Sequence, residues 1–365
     1  SPDGTRLAVV SHDLDPEEVK PDSLKTKNPK PIVLDRYAFK RDNTGYLDRL
    51  RDHVYIVDVA TKKAVQITTG DFDDQSVRWS PDGKRLAFVS ERSGTDPDRT
   101  NNADLYVVDA APGATPVKLT TWSGPDANPV WSPDGQSIAY LQGSEPQLSA
   151  YSQNTIAVVP SAGGAARLVA ASLDRDVSGL TWTTDGTALR FLLGDDRAAH
   201  LATVPVSGGV VTRLLDGRRA VSSYDASSTG RVVLNTATAT RSSEVFAFEN
   251  GALRALTHVN DSIFTALSLG TTEDVQFKNK DGLTVGALLV KPAGFDASKK
   301  YPLMLRIHGG PNGQDQHAFS FERELFAANG YLVLAVNYRG SSGRGQAWKK
   351  AIFADWGNKE VQDLM

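Results

Sequence analysis

The chain has 365 residues, 40% of them hydrophobic and 23% charged, with a net charge of −3. At about 100–200 residues per domain, that length allows two domains, or one large repeat domain and part of another. The balance of 40 basic and 43 acidic residues leaves no basic footprint for nucleic acid. The absence of cysteine excludes a disulfide framework, a thiolate metal site and a Cys nucleophile. No apolar run approaches the ~18 residues of a membrane span.

Internal repeats organise residues 1–260. The chain opens on Ser1-Pro2-Asp3-Gly4, without a Met and inside a repeat, so the expectation is that its amino terminus is cut. Fuller copies are Trp79-Ser80-Pro81-Asp82-Gly83 and Trp131-Ser132-Pro133-Asp134-Gly135, with weaker ones at Trp182-Thr183-Thr184-Asp185-Gly186 and Ser227-Ser228-Thr229-Gly230. Pro-Asp-Gly is a turn signal: Pro presets φ, Asp bonds its own backbone and Gly takes the positive φ. An alternating strand follows each turn, as in residues 85–89. A second strand then ends in Asp or Pro (54–58, 105–109, 156–160), and a third follows a Gly- or Ala-rich turn (117–120). Several short strands at a spacing of roughly 45–52 residues are the pattern of propeller blades. The equivalent Trp79, Trp131 and Trp182 read as blade packing.

The first interval carries an insert, residues 12–50, rich in charge and holding Pro21, Pro29 and Pro31. It reads either as a solvated loop or as a gate or assembly element, and the aromatic run Tyr37-Ala38-Phe39 argues for the second. Asp71, Asp73 and Asp74 lack the rest of a calcium loop, and they, like Asp195-Asp196, read as blade-connecting loops. His12, His53, His200, His258 and His317 show no metal-ligand spacing. No metal and no cofactor are expected.

Near Val259 the repeats end. A hairpin is expected around Asn279-Lys280-Asp281-Gly282. An α/β pattern follows: a strand over 303–307, a loop over 308–316, a helix near 318–329 ended by Gly330 and a strand over 331–337. A further helix is expected over about 345–355, and another starts near Lys359. The loop begins His308-Gly309-Gly310-Pro311. In acyl transfer the carbonyl oxygen gains charge, and one well-placed backbone N–H lowers the barrier by about 3–4 kcal/mol. Glycines let the backbone approach without a Cβ. The motif reads either as an oxyanion loop or as a tight strand-to-helix turn. Its context, Asn337-Tyr338-Arg339-Gly340-Ser341-Ser342-Gly343-Arg344-Gly345 and then Asp355-Trp356-Gly357, favours the first. No G-x-S-x-G elbow occurs in the chain, and Gly340-Ser341-Ser342-Gly343 lacks its spacing.

These segments resemble the S9 (prolyl oligopeptidase) family of serine peptidases, and within it the acylaminoacyl-peptidase branch. The 37–47 stretch resembles the bacterial members. The resemblance implies an all-β propeller, incomplete, over residues 1–262, followed by the N-terminal part of an α/β-hydrolase domain over 263–365 that stops before the nucleophile. It also implies a parent enzyme that hydrolyses short peptides by Ser-His-Asp acyl transfer. That enzyme would release an N-acylated or N-terminal residue, with the propeller restricting entry. Gly310 is the first choice for oxyanion donor and Gly309 the second. His308 is expected to shape the loop, and Arg339 either to support the substrate pocket or to pair with a carboxylate. The triad is absent, so residues 1–365 alone are expected to be inactive. The resemblance further implies a homo-oligomer. Neither nucleic acid nor membrane is expected as a partner, and the location is read as cytoplasmic with the periplasm left open. The rival reading is a non-catalytic propeller binding module or an inactive fragment; residues 301–357 favour the enzyme.

Overall fold

The computed structural model describes residues 1–15, 20–24, 28, 31–92, 96–144 and 146–365. Pro29 and parts of the 12–50 insert lie outside the described residues. The chain is mostly β-strand with a few short helices. It divides into two compact units, Ser1–Ser149 with Ile156–Leu168, and Ala150–Thr155 with Val169–Met365.

The first unit holds three antiparallel sheets in chain order. Arg6–His12, Asp52–Asp58 and Ala64–Gln66 form the first. Asp74–Trp79, Arg85–Ser90, Asp104–Asp109 and Val117–Lys118 form the second. Asp126–Trp131, Ser137–Gln142, Thr155–Pro160 and Arg167–Leu168 form the third. Each Pro-Asp-Gly turn closes on itself. At Ser132 the hydroxyl donates to Asp134 Oδ1 at 2.5 Å and accepts from the Ser137 N–H at 2.9 Å, while the Gln136 N–H donates to Asp134. Gly83 and Gly135 supply φ of 69° and 70°. One register shift recurs three residues before the Trp, between Gln75 and Arg78 and between Ala127 and Val130. The bulged residues Ser76 and Asn128 both have positive φ, which bends the strand and increases its twist.

Side chains alternate across a strand, and here both faces are buried. Leu86 and Phe88 join Val54 and Ile56 of the first sheet in one core cluster. Ala87 and Val89 join Ile138, Tyr140 and Ala157 of the third sheet in another. Consecutive sheets therefore stack face to face. The repeated tryptophans work at these seams: the Arg6 guanidinium lies 4.7 Å over Trp79, and that of Arg85 lies 4.9 Å over Trp131.

Within the insert a short hairpin pairs Lys40–Arg41 with Gly45–Tyr46. Arg36 ties it to Asp98 through charge-assisted hydrogen bonds of 2.5 and 2.9 Å. Asp71 and Asp73 pair with Arg51, and Asp74 with Arg92.

The second unit begins with an eight-stranded sheet made of two four-stranded meanders, Asp176–Leu215 and Ala220–Ala255. Among the described residues their strands pair at Ala199 opposite Ala220, and Leu201 and Leu215 share a core with Val221, Val232 and Leu234. A four-stranded mixed sheet follows, in the order Thr271–Lys278, Thr284–Lys291, Leu332–Asn337, Leu303–Arg306. Its last pair is parallel, with Leu303 opposite Leu332. The helix Phe321–Ala328 is shorter than the 318–329 expected. Ser320 caps it by accepting from the Arg323 N–H, which leaves residues 318–320 outside. Its Ala327 packs on Val290 and Val333. The helix expected over 345–355 is one α-turn, Gln346–Lys349, followed by a 3₁₀ turn, Lys350–Ile352. The backbone tightens at Lys350 (ψ −1°) and leaves helical geometry at Phe353 (ψ 125°), just after Ile352, which packs so close under Gly340 that a Cβ there would sit 2.4 Å from Ile352 Cδ1. No helix among the described residues is long and apolar enough to cross a membrane.

Candidate oxyanion loop

The loop of residues 307–320 leaves the parallel strand Leu303–Arg306 at its C-terminal end, and helix Phe321–Ala328 follows it. Its opening turn is glycine by necessity. Gly310 has φ of 140°, and a Cβ there would lie 2.6 Å from the Gly313 nitrogen and 2.7 Å from that of Asn312. Gly309 meets nothing within 4 Å. Both are exposed. Neither backbone N–H donates to an acceptor among the described residues.

Much of what holds this loop comes from the end of strand Leu332–Asn337 and the segment after it. Asn337 is fully buried. Its side chain accepts from the Asp315 N–H at 2.8 Å and donates to the Asp315 carbonyl at 3.0 Å. The Tyr338 hydroxyl donates to the His308 carbonyl, and its ring stacks on the His308 imidazole at 4.6 Å. Burial raises the Tyr338 pKa above the usual phenol value, so the hydroxyl keeps its proton to donate. Ser341 Oγ lies 2.8 Å from His308 Nε2, and His308 Nδ1 lies 3.0 Å from the Gly309 carbonyl. The Ser342 N–H donates to the Gly313 carbonyl. Farther along the loop, Asp315 receives Arg306 Nη1 on both oxygens at 2.7 Å.

The hairpin turn at Asp195-Asp196-Arg197 lies against the same loop. The Arg197 N–H donates to Gln314 Oε1 at 3.0 Å, and its carbonyl accepts from the His317 N–H. The buried His317 ring meets Asp274 at 3.0 Å. Burial lowers its pKa below the ordinary imidazole value, against the pull of that carboxylate.

Arg339 does not reach the loop opening. It is buried and directed to Asp363 and Asp281, with Arg339–Asp363 contacts at 2.8 and 3.0 Å and an Arg339–Asp281 contact at 2.7 Å. Burial would lower its pKa, but the two carboxylates outweigh burial and raise it. The sequence expectation thus brings His308, Gly309 and Gly310 together and leaves Arg339 apart as a brace. It missed Tyr338 and Ser341 as supports, although the Asn-Tyr-Arg-Gly-Ser-Ser motif that singled out the region contains both.

The turn thus presents an exposed, glycine-built pair of amides at the C-terminal end of a parallel strand. A model of the prolyl oligopeptidase family matches residues 317–365, and the relatives and solved structures similar to most of the chain are peptidases. Among its relatives, dipeptidyl-peptidase 5 of Porphyromonas gingivalis is 28% identical over 305 residues, covering 79% of this chain and 42% of that protein. The uncharacterized peptidase YuxL of Bacillus subtilis is 26% identical over 385 residues, covering 100% of this chain and 58% of that protein. The chain spans about half the length of the curated relatives it matches. An acylaminoacyl peptidase in complex with Z-Gly-Gly-Phe-chloromethyl ketone shares its fold with a TM-score of 0.79 and 21% identity, over 99% of this chain and 54% of that one. The uncomplexed Pyrococcus horikoshii acylaminoacyl peptidase does so with a TM-score of 0.78 and 22% identity, over 99% and 54%.

Proposed function

We propose that this chain is the oxyanion-binding part of a serine peptidase of acylaminoacyl-peptidase or oligopeptidase type. The whole enzyme hydrolyses short peptides and releases N-acylated or N-terminal residues. In this reading residues 1–262 are blades of a propeller and residues 263–365 are the N-terminal portion of an α/β-hydrolase domain. Face-to-face stacking of successive antiparallel sheets supports the first assignment. The parallel pair followed by His308-Gly309-Gly310-Pro311 supports the second.

The observation that carries the reading is the exposed Gly310 N–H, unpaired among the described residues, in a turn locked from behind by Tyr338 and Ser341. When a serine attacks the peptide carbonyl, charge develops on the carbonyl oxygen. An amide already aimed there stabilises that charge without reorganising. Gly310 is the first donor of this chain and Gly309 the second. The serine, histidine and aspartate that would complete the reaction are assigned to polypeptide outside these residues. Arg339 braces the supporting segment, and the parent enzyme is a homo-oligomer.

The test is hydrolysis of acyl-peptide p-nitroanilides. Residues 1–365 alone are expected to show none. Activity is expected once the remaining half of the hydrolase domain is supplied, on the same chain or as a second fragment. Turnover by 1–365 alone, with intact mass showing no companion fragment, would sink the reading.

A further inference from the structure

Behind the exposed amides sits a short chain of hydrogen bonds that the peptide chemistry does not itself require. His308 Nδ1 lies 3.0 Å from the Gly309 carbonyl and Nε2 lies 2.8 Å from Ser341 Oγ. A carbonyl only accepts, so Nδ1 carries the proton. A ring singly protonated there has a lone pair at Nε2, which can accept from the Ser341 hydroxyl. Ser341 is fully buried and His308 only 8% exposed, and the ring is sandwiched against Tyr338. Neither ring nitrogen is free to exchange its partner with solvent.

The consequence runs through one peptide plane. The Gly309 carbonyl and the Gly310 N–H belong to the same planar trans unit and point in opposite directions. Holding the carbonyl on the imidazole side aims the N–H to the other side, toward the open face. We propose that Ser341 is a positioning residue for the oxyanion donor. Its hydroxyl anchors the imidazole at Nε2, so that the Nδ1 proton, which the Gly309 carbonyl selects, stays on that carbonyl and orients the Gly309–Gly310 peptide. The proposal rests on the reading of Gly310 as that donor. Ser341 touches no substrate in it.

Two measurements test it. In the 365-residue chain labelled with ¹⁵N-histidine, the His308 ring, assigned by its loss in His308→Asn, should show protonation at Nδ1 alone. Ser341→Ala should convert it to a tautomer mixture. An unchanged ring spectrum in Ser341→Ala overturns the proposal. In the intact peptidase carrying this segment, Ser341→Ala should lower kcat about tenfold with KM unmoved, less than the about 100- to 1000-fold of losing a donor outright. Ser341→Cys, which keeps a weak donor, should fall between. His308→Asn, whose amide can replace the Nδ1–H, should lose less than His308→Phe. In the His308→Asn background, Ser341→Ala should cost nothing further; an equal cost in both backgrounds shows that Ser341 does not act through His308 and overturns the proposal. A ring spectrum as expected with kcat unaffected in every variant, Gly310→Ala included, keeps the tautomer relay and removes instead the oxyanion reading of Gly310.

Discussion

The Ser-Pro-Asp-Gly turns and the loop after His308 are both short glycine-bearing connections, held in opposite ways. In the turn at Ser132 the side-chain bonds close within five residues. The loop is held from Asn337, Tyr338 and Ser341, which lie 22, 30 and 33 residues from their partners. The turn's own side chains set its shape, and Ser161 adds bonds to the Gly135 and Gln136 carbonyls from outside. The loop needs the register of Leu303–Arg306 against Leu332–Asn337, because that pairing delivers the 337–342 segment to it. The aspartates divide in the same way. The Ser132 hydroxyl, followed by the Gln136 N–H, lowers the pKa of exposed Asp134. Eight positions earlier, burial pushes Asp126 up to about 7.

Breaking the non-local region should cost most. Arg339→Met strands the fully buried Asp363. Removing one partner of such a pair costs about 3–5 kcal/mol, so the second unit should melt well below the native chain in calorimetry. The exposed Arg254–Glu249 pair is the control. A melting temperature moved no further by Arg339→Met than by Arg254→Met would contradict the bracing role.

Gly310→Ala probes the loop itself. The added Cβ meets two backbone nitrogens, so the turn must open, and kcat of the intact peptidase should fall about 100- to 1000-fold. Gly309→Ala enters open space and should lose much less. Equal losses would contradict the special backbone requirement at Gly310.

Asp126→Asn sharpens the contrast between aspartates. The native carboxyl keeps its proton up to about pH 7, against 3.8 for the free side chain. The folded state therefore binds more protons than the unfolded state across that window. Stability from this group is fully present below about pH 4 and is lost as pH rises toward 7, at up to about 1.4 kcal/mol per pH unit. The difference in melting temperature between Asp126→Asn and the native chain should grow in favour of the variant from pH 4 to 7 and level off above. A difference that is flat with pH would place the Asp126 carboxyl in the ordinary range.

Ser132→Ala should have the smallest effect, about 1 kcal/mol for a net hydrogen bond, read as a small shift in the urea midpoint. A loss as large as that from Arg339→Met would show that the turns too depend on distant partners.

Much of this molecule was legible in its residues, for a local reason. The Pro-Asp-Gly turns, the strands that follow them, the hairpin at Asn279–Gly282 and the stop of helix Phe321–Ala328 before Gly330 are all set by dihedral preferences and bonds within a few positions. The His-Gly-Gly-Pro turn was visible because only glycine allows its backbone approach. Tertiary structure decided the rest. It placed Ser341 and Tyr338 behind His308, turned Arg339 inward to Asp363, buried Asp126, and cut the 345–355 helix short where Ile352 packs under Gly340. Each of these depends on which strand lies beside which. A residue's own neighbours in sequence carry no record of that, because the deciding contacts form only when segments well separated along the chain come together, as Asn337 and Asp315 do.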